Sequence, residues 1–165
     1  IYKILVANSI DVPLINDPFL DIKYMEYLLR YDSVSGRFDC RSENDAILVN
    51  GIRTHLSREM SQEKIAWAQY GVDCVIEASG VFLSREECEK HGCRRVILTA
   101  PSKDIPMYVY GVNHRDIGDE KVISAASCTT NCLAPLAKLI HDVYGIEEGI
   151  MTTVHAVTAT QKVTE

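Results

Sequence analysis

Cys128 and His155 are the residues of this chain best suited to chemistry by type and setting. Cys128 stands in the run Ser127-Cys128-Thr129-Thr130-Asn131-Cys132, and His155 in Thr153-Val154-His155-Ala156. The first run reads as a cysteine at the start of a helix. The second puts a histidine near the end of a β-branched run. The thiolate is the useful nucleophile, and both a helix N-terminus and a neighbouring imidazole lower a thiol's pKa. The pair therefore suggests covalent catalysis, with Cys128 attacking and His155 serving as base. The N–H of Cys128 would be a natural oxyanion donor, and the exposed amides of a helix start suit phosphate oxygens. Taken alone, the same residues also read as a buried helix-start cysteine, a core histidine and the capping hydroxyls of Ser127 and Thr129. Cys132, one turn on, reads as a packed neighbour.

The elements that must hold this pair alternate between strands and helices. Residues 10–15 read as a short strand, weakened by Pro13 and ended by the turn Asn16-Asp17-Pro18. Tyr24, Leu28 and Tyr31 recur at helical spacing within 20–31. Residues 37–57 read as short strands with turns at 42–45 and at Asn50-Gly51, a hairpin dipeptide. Strands are expected over 72–78, 95–99, 107–112, 122–125 and 150–157. Ser84-Arg85-Glu86-Glu87 has the pattern of a capping box and opens a helix. The clearest helix runs from Thr129 to Tyr144, with Leu133, Leu136, Ala137 and Ile140 on one face and Gly145 as its stop. Such alternation predicts an α/β fold with an open, largely parallel sheet.

Composition narrows the function further. The chain has 165 residues, 47% of them hydrophobic, enough for one domain or one plus part of another. The net charge is −6 and no basic stripe is present, which argues against nucleic acid as the main partner. No apolar run is long enough to span a bilayer, and no signal segment is visible. The six cysteines show no CxxC spacing, so no metal site is expected. Cys40, Cys74, Cys88 and Cys93 read as free thiols of a reducing compartment. The start at Ile1 rather than Met suggests a fragment.

The full wording around Cys128 and His155 resembles the glyceraldehyde-3-phosphate dehydrogenase family. The resemblance is carried by residues 127–138 and 151–162, and upstream by Asn16-Asp17-Pro18-Phe19, Ser79-Gly80-Val81-Phe82, Ala100-Pro101-Ser102 and Gly111-Val112-Asn113-His114. It implies an incomplete Rossmann-type doubly wound sheet over 1–126, a partial NAD-binding domain. The start of an α+β catalytic domain would follow over 127–165. It implies oxidation and phosphorylation of glyceraldehyde 3-phosphate with NAD, in glycolysis. Cys128 would form a thiohemiacetal and then a thioester, which inorganic phosphate cleaves, and His155 would be the base. Ser127 and Thr129 would meet the attacking phosphate, and Thr158 the substrate's own phosphate. Asp17, at a strand end, would take the adenosine ribose hydroxyls and favour NAD over NADP. Arg58 would pack near the adenine, while Ser79, Gly80 and Thr99 would line the cofactor crevice. The parent is expected to be a cytoplasmic homotetramer.

The chain departs from the family's pattern in three ways. It has no glycine before Gly36, so the GxGxxG turn for the pyrophosphate is missing, and residues 1–15 stand where about twice that length is expected. It ends at Glu165, before the family's later substrate-binding residues, at about half the family's length. Ala125 and Ala78 stand where the family usually has an asparagine and a hydroxyl residue. A chain of this form is expected to bind NAD poorly and to turn over little. Other functions stay open. One is a relative acting on erythrose 4-phosphate, with water in place of phosphate. Another is a catalytically dead redox or interaction fragment. A cysteine hydrolase would leave Asp17 and the crevice residues unexplained.

Overall fold

The computed structural model describes residues 1–156 of the chain. Its first sheet runs in the order β1-β4-β3-β2, formed by β1 (Leu14–Asn16), β2 (Arg41–Glu43), β3 (Ala46–Val49) and β4 (Ile52–Ser57). Two tight turns set the antiparallel part. The turn between β3 and β4 places Asn50 at φ 50° and Gly51 at φ 82°, the double left-handed conformation that asparagine and glycine tolerate best. β1 then joins β4 in parallel, with Leu14 opposite His55 and Asn16 opposite Ser57. A short helix, α1 (Tyr2–Ala7), precedes β1, and α2 (Ile22–Arg30) follows it. Asp21 starts α2 by accepting the amides of Lys23 and Tyr24 at 3.0 and 2.9 Å.

The second sheet is wholly parallel. It comprises β5 (Cys74–Glu77), β6 (Arg95–Leu98) and β7 (Val122–Ser124), in that order. α3 (Arg85–Glu89) links β5 to β6. Ser84 and Glu87 close its first turn with a reciprocal capping box, as the sequence predicts. The last element among the described residues is α4 (Cys128–Tyr144). The fold is thus mixed α/β with parallel pairing, a partial Rossmann arrangement divided between two sheets rather than one continuous sheet.

One core joins the sheets. Leu14 of β1 packs in a cluster with Trp67, Val75, Cys88, Val96, Leu98 and Val122. A second cluster of Met25, Cys40, Ile47 and Val49 lies between α2 and the first sheet.

Several expectations need correction. Residues 107–112 are not a strand; only Met107 bridges to Ser124. The Asn113 side chain takes the local backbone groups instead, accepting from Val109 N at 2.8 Å and donating to Met107 O at 3.1 Å, and Gly111 turns at φ 81°. Residues 150–156 are irregular, because among the described residues no strand offers them a ladder. β1 begins only at Leu14, after Pro13, whose carbonyl accepts from His55 but which has no N–H to give. α4 forms as expected, yet none of its residues is buried, and Leu136 and Ile140 are 57% and 50% exposed.

Candidate active site

The backbone between β7 and α4 is set by side chains before it reaches Cys128. Ser124 Oγ donates to Ala100 O at 2.6 Å and accepts from Ala126 N at 3.0 Å. Ala126 is held at φ 62°, a left-handed conformation that costs a non-glycine residue about 1 kcal/mol. This bend lets Ser127 cap α4, its Oγ accepting from Thr130 N at 3.0 Å. Asn131 reaches back with Nδ2, donating to Ala125 O and Ser127 O, each at 2.8 Å. Cys128 is therefore the first residue of the helix, and its thiol is exposed.

His155 meets it there. Cys128 Sγ lies 3.1 Å from His155 Nε2. His155 Nδ1 donates to the carbonyl of Ala156, so in the neutral ring Nε2 is the nitrogen free to take a proton. The contact shifts both groups. The hydrogen bond from His155 lowers the Cys128 pKa, with help from the Thr129 hydroxyl and amide. The His155 pKa is raised, first by Cys128 and then by the Ala156 carbonyl. Each partner favours the other's charged form, a thiolate beside an imidazolium, and the positive end of the α4 dipole also favours the thiolate. The amide of Cys128 has no acceptor among the described residues. Thr158 lies outside the described residues.

The residues predicted for a dinucleotide lie at the carboxyl ends of strands. Asp17 follows β1; its Oδ1 accepts from Phe19 N and Leu20 N at 3.0 and 3.1 Å, and Oδ2 has no partner among the described residues. Arg58 follows β4 and donates to Pro18 O at 3.3 Å, beside Asp17. Asn16 ties these two ends together, accepting from Ser57 Oγ and Glu59 N and donating to Glu59 O. Ser79 and Gly80 follow β5, and Thr99 follows β6, where its amide donates to Glu77 O at 3.0 Å. Gly80 has φ 73°, and among the described residues no atom beyond its chain neighbours lies within 4 Å of where a Cβ would stand. An acceptor beside an open strand end, together with a bare glycine turn, fits the ribose and backbone-close parts of a dinucleotide. The described residues include no glycine turn before β1 that would cradle a pyrophosphate.

Sequence reading placed Asn16 in a turn without its tie to Ser57 and Glu59, and missed the buried contact among Glu77, His91 and Trp67. The signal for the second was a glutamate inside an otherwise apolar strand, Cys74-Val75-Ile76-Glu77.

Parallel strands with open carboxyl ends, followed by a helix-start thiol paired with an imidazole, define an α/β class suited to a nucleotide and to thiol chemistry. Comparison with known proteins resolves the class. Residues 1–85 match the family model for the glyceraldehyde 3-phosphate dehydrogenase NAD binding domain, and residues 127–165 match the model for its C-terminal domain. The chain is 54% identical to glyceraldehyde-3-phosphate dehydrogenase 1 of Schizosaccharomyces pombe, over 96% of its own length and 49% of that protein's. It is 50% identical to the cytosolic glyceraldehyde-3-phosphate dehydrogenase of Gracilaria gracilis, over 94% of its length and 48% of that protein's. It is 49% identical to the Bacteroides fragilis enzyme, with the same coverage of 94% and 48%. This chain belongs to the glyceraldehyde-3-phosphate dehydrogenase family, and it spans about half the length of the curated relatives it matches.

Proposed function

We propose that the chain is the cofactor-binding and thiol-bearing portion of a dehydrogenase that oxidises and phosphorylates glyceraldehyde 3-phosphate with NAD. The observation that carries this is the 3.1 Å contact between Cys128 Sγ and His155 Nε2 at the start of α4. On this reading the domain transition falls between Ala126 and Ser127. The Cys128 thiolate adds to the aldehyde carbon, the His155 imidazolium gives its proton to the new oxygen to make the thiohemiacetal hydroxyl, and the neutral imidazole takes that proton back as the adduct is oxidised. The Cys128 amide steadies the substrate oxygen. NAD, when bound, supplies the hydride acceptor that leaves the adduct as a thioester. Inorganic phosphate, met by Ser127 and Thr129, then attacks the thioester carbon and releases the acyl phosphate, returning Cys128 as thiolate. Thr158 would contact the substrate's own phosphate.

Asp17, Arg58, Ser79, Gly80 and Thr99 would hold NAD. The Oδ2 of Asp17, without a partner among the described residues, suits the ribose hydroxyls and would repel a 2′-phosphate. The parent protein would act in the cytosol as a homotetramer; a relative is named cytosolic, and no described helix is long and apolar enough to cross a membrane.

The test is protection of Cys128. Iodoacetamide at mildly acidic pH should alkylate Cys128 ahead of the other five thiols, and glyceraldehyde 3-phosphate should slow that reaction. Saturation-transfer NMR should show contact with NAD and less with NADP. Alkylation that ignores the aldehyde, with no contact to either nucleotide, would sink the proposal.

A further inference from the structure

Among the described residues, a buried polar network lies away from the cysteine. Glu77, His91 and Trp67 are only 5%, 7% and 8% exposed. Glu77 ends β5, His91 stands just past α3, and Trp67 opens the short 3-10 turn Trp67–Tyr70. Trp67 Nε1 lies 3.2 Å from His91 Nδ1, and His91 Nε2 lies 2.9 Å from Glu77 Oε2. An indole nitrogen can only donate, so Nδ1 must be bare and Nε2 must carry the ring proton. The donors therefore run one way, from Trp67 to His91 to Glu77.

The network ends on the backbone of a loop. Glu77 Oε1 accepts from Ser79 N at 2.7 Å, a short charge-assisted bond. Ser79 Oγ then accepts from Val81 N at 3.1 Å, closing the turn around Gly80. The backbone carbonyl of Glu77 accepts from Thr99 N at 3.0 Å. One residue thus ties together two neighbouring strand-end loops, holding Ser79 by its side chain and Thr99 by its main chain. Burial pushes the Glu77 carboxyl up, but the hydrogen bonds from His91 and Ser79 outweigh it and hold the group below the ordinary glutamate range. Its neighbours Val75, Val96 and Leu98 show that this core is otherwise apolar. A buried carboxylate adds little stability over an apolar side chain there. What it adds is a fixed direction for the Ser79 amide.

We propose that Glu77 is a positioning residue for dinucleotide binding: its carboxylate, locked by His91 and Trp67, sets the Ser79–Gly80 turn against which the cofactor rests. The cofactor half of this statement rests on the proposed dehydrogenase function; the hold on the turn does not.

The experiment uses the 15N-labelled chain and its Glu77→Met variant, which keeps the side chain's length and removes both acceptors. Amide hydrogen exchange is read at Ser79, with Val96 and Leu98 of β6 as controls, and NAD is titrated into both proteins. The Ser79 amide is expected to exchange at least about tenfold faster in the variant, as loss of a charged hydrogen bond implies, while β6 stays protected. The NAD dissociation constant should rise by about tenfold. Unchanged Ser79 exchange, or equal NAD affinity in the two proteins, would overturn this proposal alone. Absence of NAD binding by the wild-type chain would instead bring down the cofactor reading itself. Should the variant fail to fold, the wild-type imidazole decides. Its 15N spectrum should show His91 protonated at Nε2 and bare at Nδ1, and the opposite tautomer would overturn the network.

Discussion

The Asn131 side chain spans the left-handed residue Ala126 and donates to the carbonyl of Ala125 at 2.8 Å. One side chain on the first turn of α4 thus fixes the strand-to-helix bend that presents Cys128. Asn131→Ala should lower stability by about 1 kcal/mol, the usual worth of such bonds, and slow alkylation of Cys128 at mildly acidic pH. Urea melts paired with thiol kinetics check this; loss of stability with unchanged thiol kinetics would separate the bend from the reactivity.

His155→Ala should move the pH midpoint of Cys128 alkylation upward. His155 lowers the Cys128 pKa, so its removal returns the thiol toward the ordinary cysteine range and leaves less thiolate below neutrality. The rate in mild acid should fall, while the limiting rate in strong alkali stays close to wild type. A profile that does not move would dissociate the imidazole from the thiol.

Ala126→Gly tests the bend directly. The φ of 62° strains alanine and not glycine, so the substitution should raise stability by about 1 kcal/mol or somewhat less, offset in part by the freer unfolded chain. Thermal melts read the sign.

The α3 cap gives a pH signature. Hydrogen bonds from Ser84 and Leu83 hold the Glu87 pKa below its ordinary value. Depression of a folded-state carboxyl pKa means stability that is complete above the ordinary glutamate range and is lost as pH falls through the lowered folded value. Ser84→Ala should cost about 1 kcal/mol near neutrality and flatten that acid limb. Chemical denaturation across an acid pH series would show it, and parallel curves for the two proteins would refute it.

Leu98 is fully buried at the end of β6, in the cluster shared by both sheets. Leu98→Ala should destabilise by about 3 kcal/mol through lost burial and the cavity left behind. A cost below about 1 kcal/mol, measured by urea unfolding, would mean that the site collapses around the smaller side chain.

Much of this was legible in the residues. The Asn50-Gly51 turn, the Ser84–Glu87 cap and the start of α4 at Ser127-Cys128 are local chemistry, and local chemistry survives folding. Residues 107–112 misled because their aromatic and β-branched composition suits a strand but Asn113 competes for the backbone at closer range. Residues 150–156 misled because β-branching favours a strand only where a partner ladder exists. The contact of Cys128 with His155 could be suspected from motif wording, whereas Glu77 stood out only as a charge in an apolar strand, and its partners His91 and Trp67 lie on two other segments that must fold before those atoms meet.

The six free thiols also make the chain its own stopwatch. Cys74, Cys128 and Cys132 face solvent, while Cys40, Cys88 and Cys93 are sealed inside. Cys40 belongs to the cluster beneath α2, and Cys88 and Cys93 to the one shared by both sheets. A colorimetric thiol reagent would consume the three exposed groups first, Cys128 ahead of Cys74 and Cys132, and wait for the rest. The delay at Cys40 times the breathing of one core, and the delay at Cys88 and Cys93 times the other, with no label added.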